Sequence, residues 1–238
     1  MDLRIGPERN TYTIIGYCPR SQRLGVAITT FSLAVGGYCP RVEADVGAVA
    51  SQAYADPRLI VPALELLKEG IHPTNALKEL SRTDSFFSYR QIGLVDANGN
   101  AAAHTGEKTT AWKGHICGHG YVAMGNCLSS ERTVREMSER FRQNPGLELE
   151  ERLLSALEAG RDAGGQSAPM NERSAALIVY QQETYPRVDL RVDLHRSAVE
   201  ELRRVYETYF PYIPLYYDLR VKRPDEAPSQ LDWIKRHG

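Results

Sequence analysis

Three side chains near the middle of the chain, His115, Cys117 and His119, alternate with other residues. Residues two apart on a strand share one face. The trio therefore offers three ligands to a metal ion, with His104 or Cys127 as a fourth. His104 closes the run Ala101-Ala102-Ala103-His104, ahead of Thr105-Gly106. An imidazole there serves as a base, a substrate ligand or a hydrogen-bonded core group. The segment Thr29-Thr30-Phe31-Ser32 follows a strand-like run and is rich in hydroxyls. Thr30 and Ser32 either line a pocket or cap a loop. Asn126 follows Gly125 where a strand gives way to a helix. Its amide either binds a ligand or caps the helix that starts near Ser129.

These groups need a scaffold, and the chain is long enough for one large α/β domain with a full core: it has 238 residues. Its 29 basic residues balance 30 acidic ones. No segment concentrates positive charge, so no nucleic-acid partner is expected. The basic pairs Lys222-Arg223 and Lys235-Arg236 read as a solvated tail. No apolar run approaches the roughly 18 residues of a membrane span. The first ten residues are charged and hold Pro7, unlike a signal peptide. A cytoplasmic location follows, and with it reduced thiols at Cys18, Cys39, Cys117 and Cys127.

β-branched and aromatic runs predict strands at Thr11–Ile15 and Leu24–Thr30, paired as a hairpin. Val42–Ala53 reads as a third extended stretch. Pro57 then opens a helix running to about Glu69, with Gly70 at its C-cap. A second helix spans about Thr74–Ser81. Strands return at Arg90–Asp96 and Ala101–His104 around the tight turn Asn98-Gly99, and His115–Gly125 reads as two short strands. Helices follow from Ser129 to about Gln143, with Ser129 or Ser130 as N-cap, and over Leu149–Gly160. Strands Ser174–Tyr180 and Pro186–Asp193 precede a last helix, Ser197–Tyr209. Paired helices between hairpins argue against a parallel βαβ sheet. They fit an α+β, four-layer αββα sandwich of two antiparallel sheets. One domain is expected over 11–209, after a leader of residues 1–10. The segment 210–238, rich in proline and tyrosine, reads as an extension that wraps its own surface or packs on a partner. The aromatic residues Tyr206, Tyr209, Phe210, Tyr212, Tyr216 and Tyr217 are of the types that dominate interfaces, so a homo-oligomer is expected.

Several segments resemble the DUF1028 family, which is grouped with the N-terminal-nucleophile (Ntn) hydrolases and has no assigned substrate. They are Thr11-Tyr12-Thr13-Ile14-Ile15, Leu24-Gly25-Val26-Ala27, the run from Gly47 to Tyr54, the run from Gln91 to Asp96, Ala103-His104-Thr105-Gly106 and Met124-Gly125-Asn126. The similarity covers about residues 11 to 205. A weaker one links Leu157 to Gly165, with Arg161-Asp162-Ala163, to proteasome β subunits. Both imply the Ntn-like αββα fold.

The resemblance places Thr11 where an Ntn nucleophile would sit. Such a residue attacks with its hydroxyl, and its free α-amine, of pKa near 8, is the base. Here ten residues precede Thr11, and an amide nitrogen is no base. Thr11 acts in this way only if the Asn10–Thr11 bond is cut. The same resemblance implies oxyanion donors around Ser51-Gln52-Ala53, with the Gln52 side chain free to orient substrate. It implies that Asn126 binds substrate or the Thr11 amine. It gives Asp162, and with it Ser174, to the same site. Related sequences keep only a histidine like His115, so no metal is expected, and the chemistry needs no cofactor. The reading is an amidohydrolase for a small polar amide. Two alternatives stand beside it: a non-catalytic binding or assembly protein, and a hydrolase using His104 without loss of the leader.

Overall fold

The computed structural model describes residues 10–110 and 112–237. Residues 1–9 of the expected leader lie outside the described residues. Among the described residues, ten strands form two antiparallel sheets. The first holds β1 (Thr11–Cys18), β2 (Arg23–Thr30), β7 (Gly114–Gly118), β8 (Tyr121–Asn126), β9 (Ser174–Tyr180) and β10 (Val188–Val192), in the order β10-β9-β2-β1-β8-β7. The second holds β3 (Pro40–Glu43), β4 (Gly47–Ala53), β5 (Arg90–Asp96) and β6 (Ala101–Thr105), in sequence order. Helices α1 (Ile60–Lys68) and α2 (Pro73–Thr83) cover the second sheet. Helices α3 (Arg132–Gln143), α4 (Leu149–Asp162) and α5 (Ala198–Tyr209) cover the first. This is the αββα sandwich.

Strand alternation explains the layers. On β1, Tyr12 and Ile14 join the core beneath α3 and α4, whereas Ile15 packs between the sheets. Both faces of β1 are covered, which is why its sequence shows no polar alternation. On α4, Leu149, Leu153, Leu154 and Leu157 follow helical spacing and are fully buried. Between the sheets lie Val26, Ile28, Ala48, Ala50, Val122 and Met124.

The structure corrects several boundaries. The stretch Val42–Ala53 is two strands, β3 and β4, folded back at Asp45, whose φ is 58°. Pro57 opens a single 3-10 turn, with Asp56 Oδ1 accepting from Arg58 N, and the α-helix begins at Ile60. Ser129 is not the cap of α3: its N–H and hydroxyl both donate to the Gly165 carbonyl, and the helix starts at Arg132. The carboxy-terminal segment is largely helical and ends in a helix over Gln230–His237. It lies on its own domain: Ile213, Leu215 and Tyr217 are buried, Tyr185 OH donates to the Tyr217 carbonyl and Trp233 Nε1 to that of Pro211. No helix among the described residues is long and apolar enough to cross a membrane.

One glycine is required by close approach. Gly106 N donates to the Arg90 carbonyl at 2.9 Å, and a Cβ at Gly106 would stand 2.2 Å from the Ser88 carbonyl oxygen. Backbone cannot yield as a flexible side chain would. Gly106→Ala should therefore cost about 1–3 kcal/mol in urea unfolding; an unchanged midpoint would show that the loop relaxes freely.

Candidate active site

Register places one residue from each of four strands in a row across the first sheet. Ser174 pairs with Thr30, Thr30 with Thr11, and Thr11 with Asn126. On the second sheet, Gln52 pairs with Gln91 and Gln91 with Thr105. Hydrogen bonds from Asn126 Nδ2 to Gln91 Oε1 and from Gln52 Nε2 to the Thr11 carbonyl join the two rows. They form one polar layer at the end of an otherwise apolar interior.

Gln91 is its hub. Its Nε2 donates toward Thr105 Oγ1 at 2.8 Å, the Gly125 carbonyl at 2.9 Å and the Gly114 carbonyl at 3.1 Å. Its Oε1 accepts from Gln52 Nε2 at 2.7 Å and Asn126 Nδ2 at 3.1 Å. Gln52 Nε2 also reaches the Thr11 carbonyl at 3.3 Å. Thr105 Oγ1 also shares a hydrogen bond of 2.8 Å with His115 Nδ1.

The nucleophile candidate lies beside this hub. Thr11 Oγ1 donates to Thr30 Oγ1 at 3.0 Å, and Thr30 Oγ1 donates in turn to the Asn10 carbonyl. Gln166 Nε2 donates to the same carbonyl at 3.2 Å. The peptide carbonyl just before Thr11 is thus held by two donors, both hydrogen-bonding from buried side chains. Thr11 itself is only 4% exposed. Gln166 gets there because the chain turns sharply after α4. Gly164 has φ +116° and Gly165 φ +51°, and a Cβ on Gly165 would collide with Glu172 Oε1 at 2.4 Å. Leu128 and Gln166 then bridge as antiparallel partners.

Of the residues nominated from sequence, Thr11, Thr30, Gln52, Asn126 and Ser174 share the layer. Ser174 serves as a brace: its hydroxyl donates to the Ser32 carbonyl at 2.7 Å and accepts from Val35 N. Ser32 joins through its backbone, its N–H reaching Thr30 Oγ1 at 3.3 Å. Three nominees fall elsewhere. Ser51 points to the α1 side of β4, where its hydroxyl accepts from Asp56 N, and its own N–H is donated to Cys39. It offers no oxyanion donor. His104 takes the helix-covered face of β6, opposite Thr105, since successive residues alternate. There it stacks on Phe87 at 4.2 Å and its Nε2 donates to the Phe87 carbonyl. Burial holds its pKa below the ordinary value, partly offset by that hydrogen bond. Asp162 is 66% exposed in its side chain and is held by Arg161 rather than by the layer. Among the described residues, no three His, Cys, Asp or Glu side chains are placed to hold a metal ion.

Gln91, Gln166, Thr105 and the Asn10 carbonyl were not nominated as site groups. Only the glycine pair before Gln166 hinted at a sharp return of the chain to the site.

The arrangement defines a class: an αββα sandwich with a strand-opening threonine set in a buried layer of carboxamides and hydroxyls. The chain belongs to the DUF1028 family, described as a family of unknown function, whose model matches residues 11–202. Protein SPO2555 from Silicibacter pomeroyi, a member of that family with a crystal structure, is 34% identical, with a TM-score of 0.78 over 84% of this chain and 86% of its own. Anbu (ancestral beta-subunit) from Yersinia bercovieri aligns at 11% identity and a TM-score of 0.36 over 85% of this chain and 96% of its own. No curated protein matches the chain.

Replacing the hub tests the layer. Gln91→Leu strands the amides of Gln52 and Asn126 and two backbone carbonyls. Each orphan costs about 1–3 kcal/mol, so a loss of about 3 kcal/mol or more is expected from urea unfolding. In Gln91→Glu the two carbonyls demand a protonated acid, which raises its folded pKa. The protonated acid has one donor for two carbonyls, so a fixed loss remains below about pH 4, and the penalty should grow beyond it as the pH rises through the raised value. A pH-independent change would count against the assigned orientation of Gln91.

Proposed function

We propose that this protein is an amidohydrolase whose nucleophile is the Thr11 hydroxyl and whose base is the Thr11 α-amine, freed by scission of the Asn10–Thr11 bond. The observation that carries this reading is the doubly hydrogen-bonded Asn10 carbonyl, one residue before a buried threonine hydroxyl. Two donors on one carbonyl oxygen stabilise the charge that develops on attack. In the scission step, Thr11 Oγ1 bonds to the Asn10 carbonyl carbon and the C–N bond breaks. The hydroxyl proton ends on the departing nitrogen, with Thr30 positioned to relay it. Water then hydrolyses the resulting ester, releasing a carboxylate ending in Asn10 and a chain beginning at Thr11.

The freed amine has a reference pKa near 8 and so has a basic fraction at neutral pH. It takes the hydroxyl proton as Thr11 attacks a substrate amide and gives it to the leaving amine. Thr30 Oγ1 and Gln166 Nε2, released from Asn10, are the donors left for the substrate's oxyanion. This replaces the oxyanion role expected of Ser51-Gln52-Ala53. Gln52 and Asn126 act on either side of the hub as positioning groups. The closed surroundings of Thr11, 4% exposed, favour a second reading, a binding or assembly module.

Intact-mass measurement of the purified, untagged chain separates the two. A mass lacking residues 1–10 is expected, with Thr11→Ala remaining full length and losing on the order of 10⁴-fold or more of its amidase turnover. Thr30→Val should slow both scission and turnover by about 10²–10³-fold. A full-length mass in an active preparation, or an active Thr11→Ala, would overturn the hydrolase reading.

A further inference from the structure

The carboxy-terminal segment buries one side of itself and leaves the other bare. In the Gln230–His237 helix, Trp233 is buried, its Nε1 donates to the Pro211 carbonyl, and His237 stacks on its ring at 4.1 Å. Residues of a helix advance by about 100° each. Leu231, Ile234 and Lys235 therefore fall together on the face away from Trp233. Leu231 is 71% exposed, and Ile234 is exposed as well. The basic end of this face is only loosely engaged. Lys235 stands 4.0 Å from Asp232, and Arg236 has no acidic partner among the described residues.

Next to this helix lies a surface of the opposite charge. A cavity of about 350 Å³ opens between residues 147–151 and the last turn of α5. Its apolar lining is Leu147, Tyr206 and Phe210, and both Leu147 and Phe210 are exposed. Its charged lining is three glutamates, Glu148, Glu151 and Glu207, against one arginine, Arg203. Glu148 and Glu151 are held by arginines, whereas Glu207 has no cationic partner among the described residues. Glu207 also borders the cleft that Trp233, Ile234 and His237 line, so the two surfaces adjoin within one chain. A further cleft on this side is lined by Tyr209, Tyr212 and Tyr216, of the residue type enriched at interfaces.

An apolar helix face with basic flanks matches an apolar cavity with an acidic rim. The helix cannot fill the cavity of its own chain, because Trp233 anchors it with the apolar face turned outward. A two-fold axis between the adjoining surfaces sets the helix of each copy on the cavity of the other, so that the contact is made twice. We propose that this chain pairs with a second copy of itself through this surface. Leu231 and Ile234 of each copy enter the cavity beside Leu147 and Phe210 of the other, and Lys235 and Arg236 face Glu207. A second copy is the partner that the charges select, since one chain carries both halves of the match. Pairing depends neither on scission at Asn10 nor on the hydrolase reading.

Sedimentation velocity of the full chain, from about 1 to 100 µM, should show a dimer. Leu231→Asp with Ile234→Asp should leave a monomer. Glu207→Lys should weaken pairing about tenfold or more, because like charges then face each other. Lys235→Glu with Arg236→Glu should do the same. All three reversals together should bring the Kd back to within about threefold of the original, a recovery that misfolding would not give. A monomer at about 100 µM overturns the proposal. So does a dimer indifferent to Leu231→Asp with Ile234→Asp, or a set of charge reversals that fail to compensate.

Discussion

Burying a row of carboxamides between two sheets is possible only where nearly every donor finds an acceptor, since each orphan costs as much as a sizeable core contact. Gln91 meets that constraint with both ends of its amide. One end faces two backbone carbonyls of the first sheet's strands, and the other gathers Gln52 and Asn126. Because the carbonyls cannot exchange roles, the orientation propagates outward from Gln91 to both neighbours. The stacking of the sheets depends on it too. A one-residue slip of either partner strand would turn its polar residue to the helix side and set an apolar one against the amides.

The apolar layers do different work. The interior between the sheets, from Ile15 to Met124, excludes water and leaves polarity at one end only. That end is where β1 begins, so the threonine opening the strand sits inside the polar layer rather than at a wet edge. On the outer side of the first sheet, α4 packs its leucines beneath β1 and then stops at a glycine pair. The stop matters as much as the helix: it returns the chain to the Asn10 carbonyl, where Gln166 is the second donor.

Membership of a family of unknown function leaves chemistry to the residues, because a fold hosts many activities. In this chain the residues converge on one peptide bond. The hydroxyls of Thr11 and Thr30 and the amide of Gln166 gather at the carbonyl before Thr11, whereas the histidine and the aspartate that looked most reactive lie outside that group. His104 is engaged by Phe87, and Asp162 by its neighbouring arginine.

The strands and helices were legible because their signals are local. Runs of β-branched, aromatic and other apolar residues marked β1, β2, β5 and β9, the leucine spacing marked α4, and Asn98-Gly99 marked a turn in which Gly99 indeed has φ +79°. Their grouping sufficed for two antiparallel sheets under paired helices. Thr30, Gln52, Asn126 and Ser174 were within reach because each is a polar residue at a strand end. What the chain order could not decide was which face each residue takes and whom it meets there. Ser51 and Gln52 are neighbours in sequence yet point to opposite sides of β4, as His104 and Thr105 do on β6. Gln91 became a hub only through its register with Gln52 and Thr105, and Gln166 only through the turn after α4. Side-chain periodicity is a property of one segment, whereas register, facing and amide orientation depend on partners far away in the chain, so only the assembled sheets decide them.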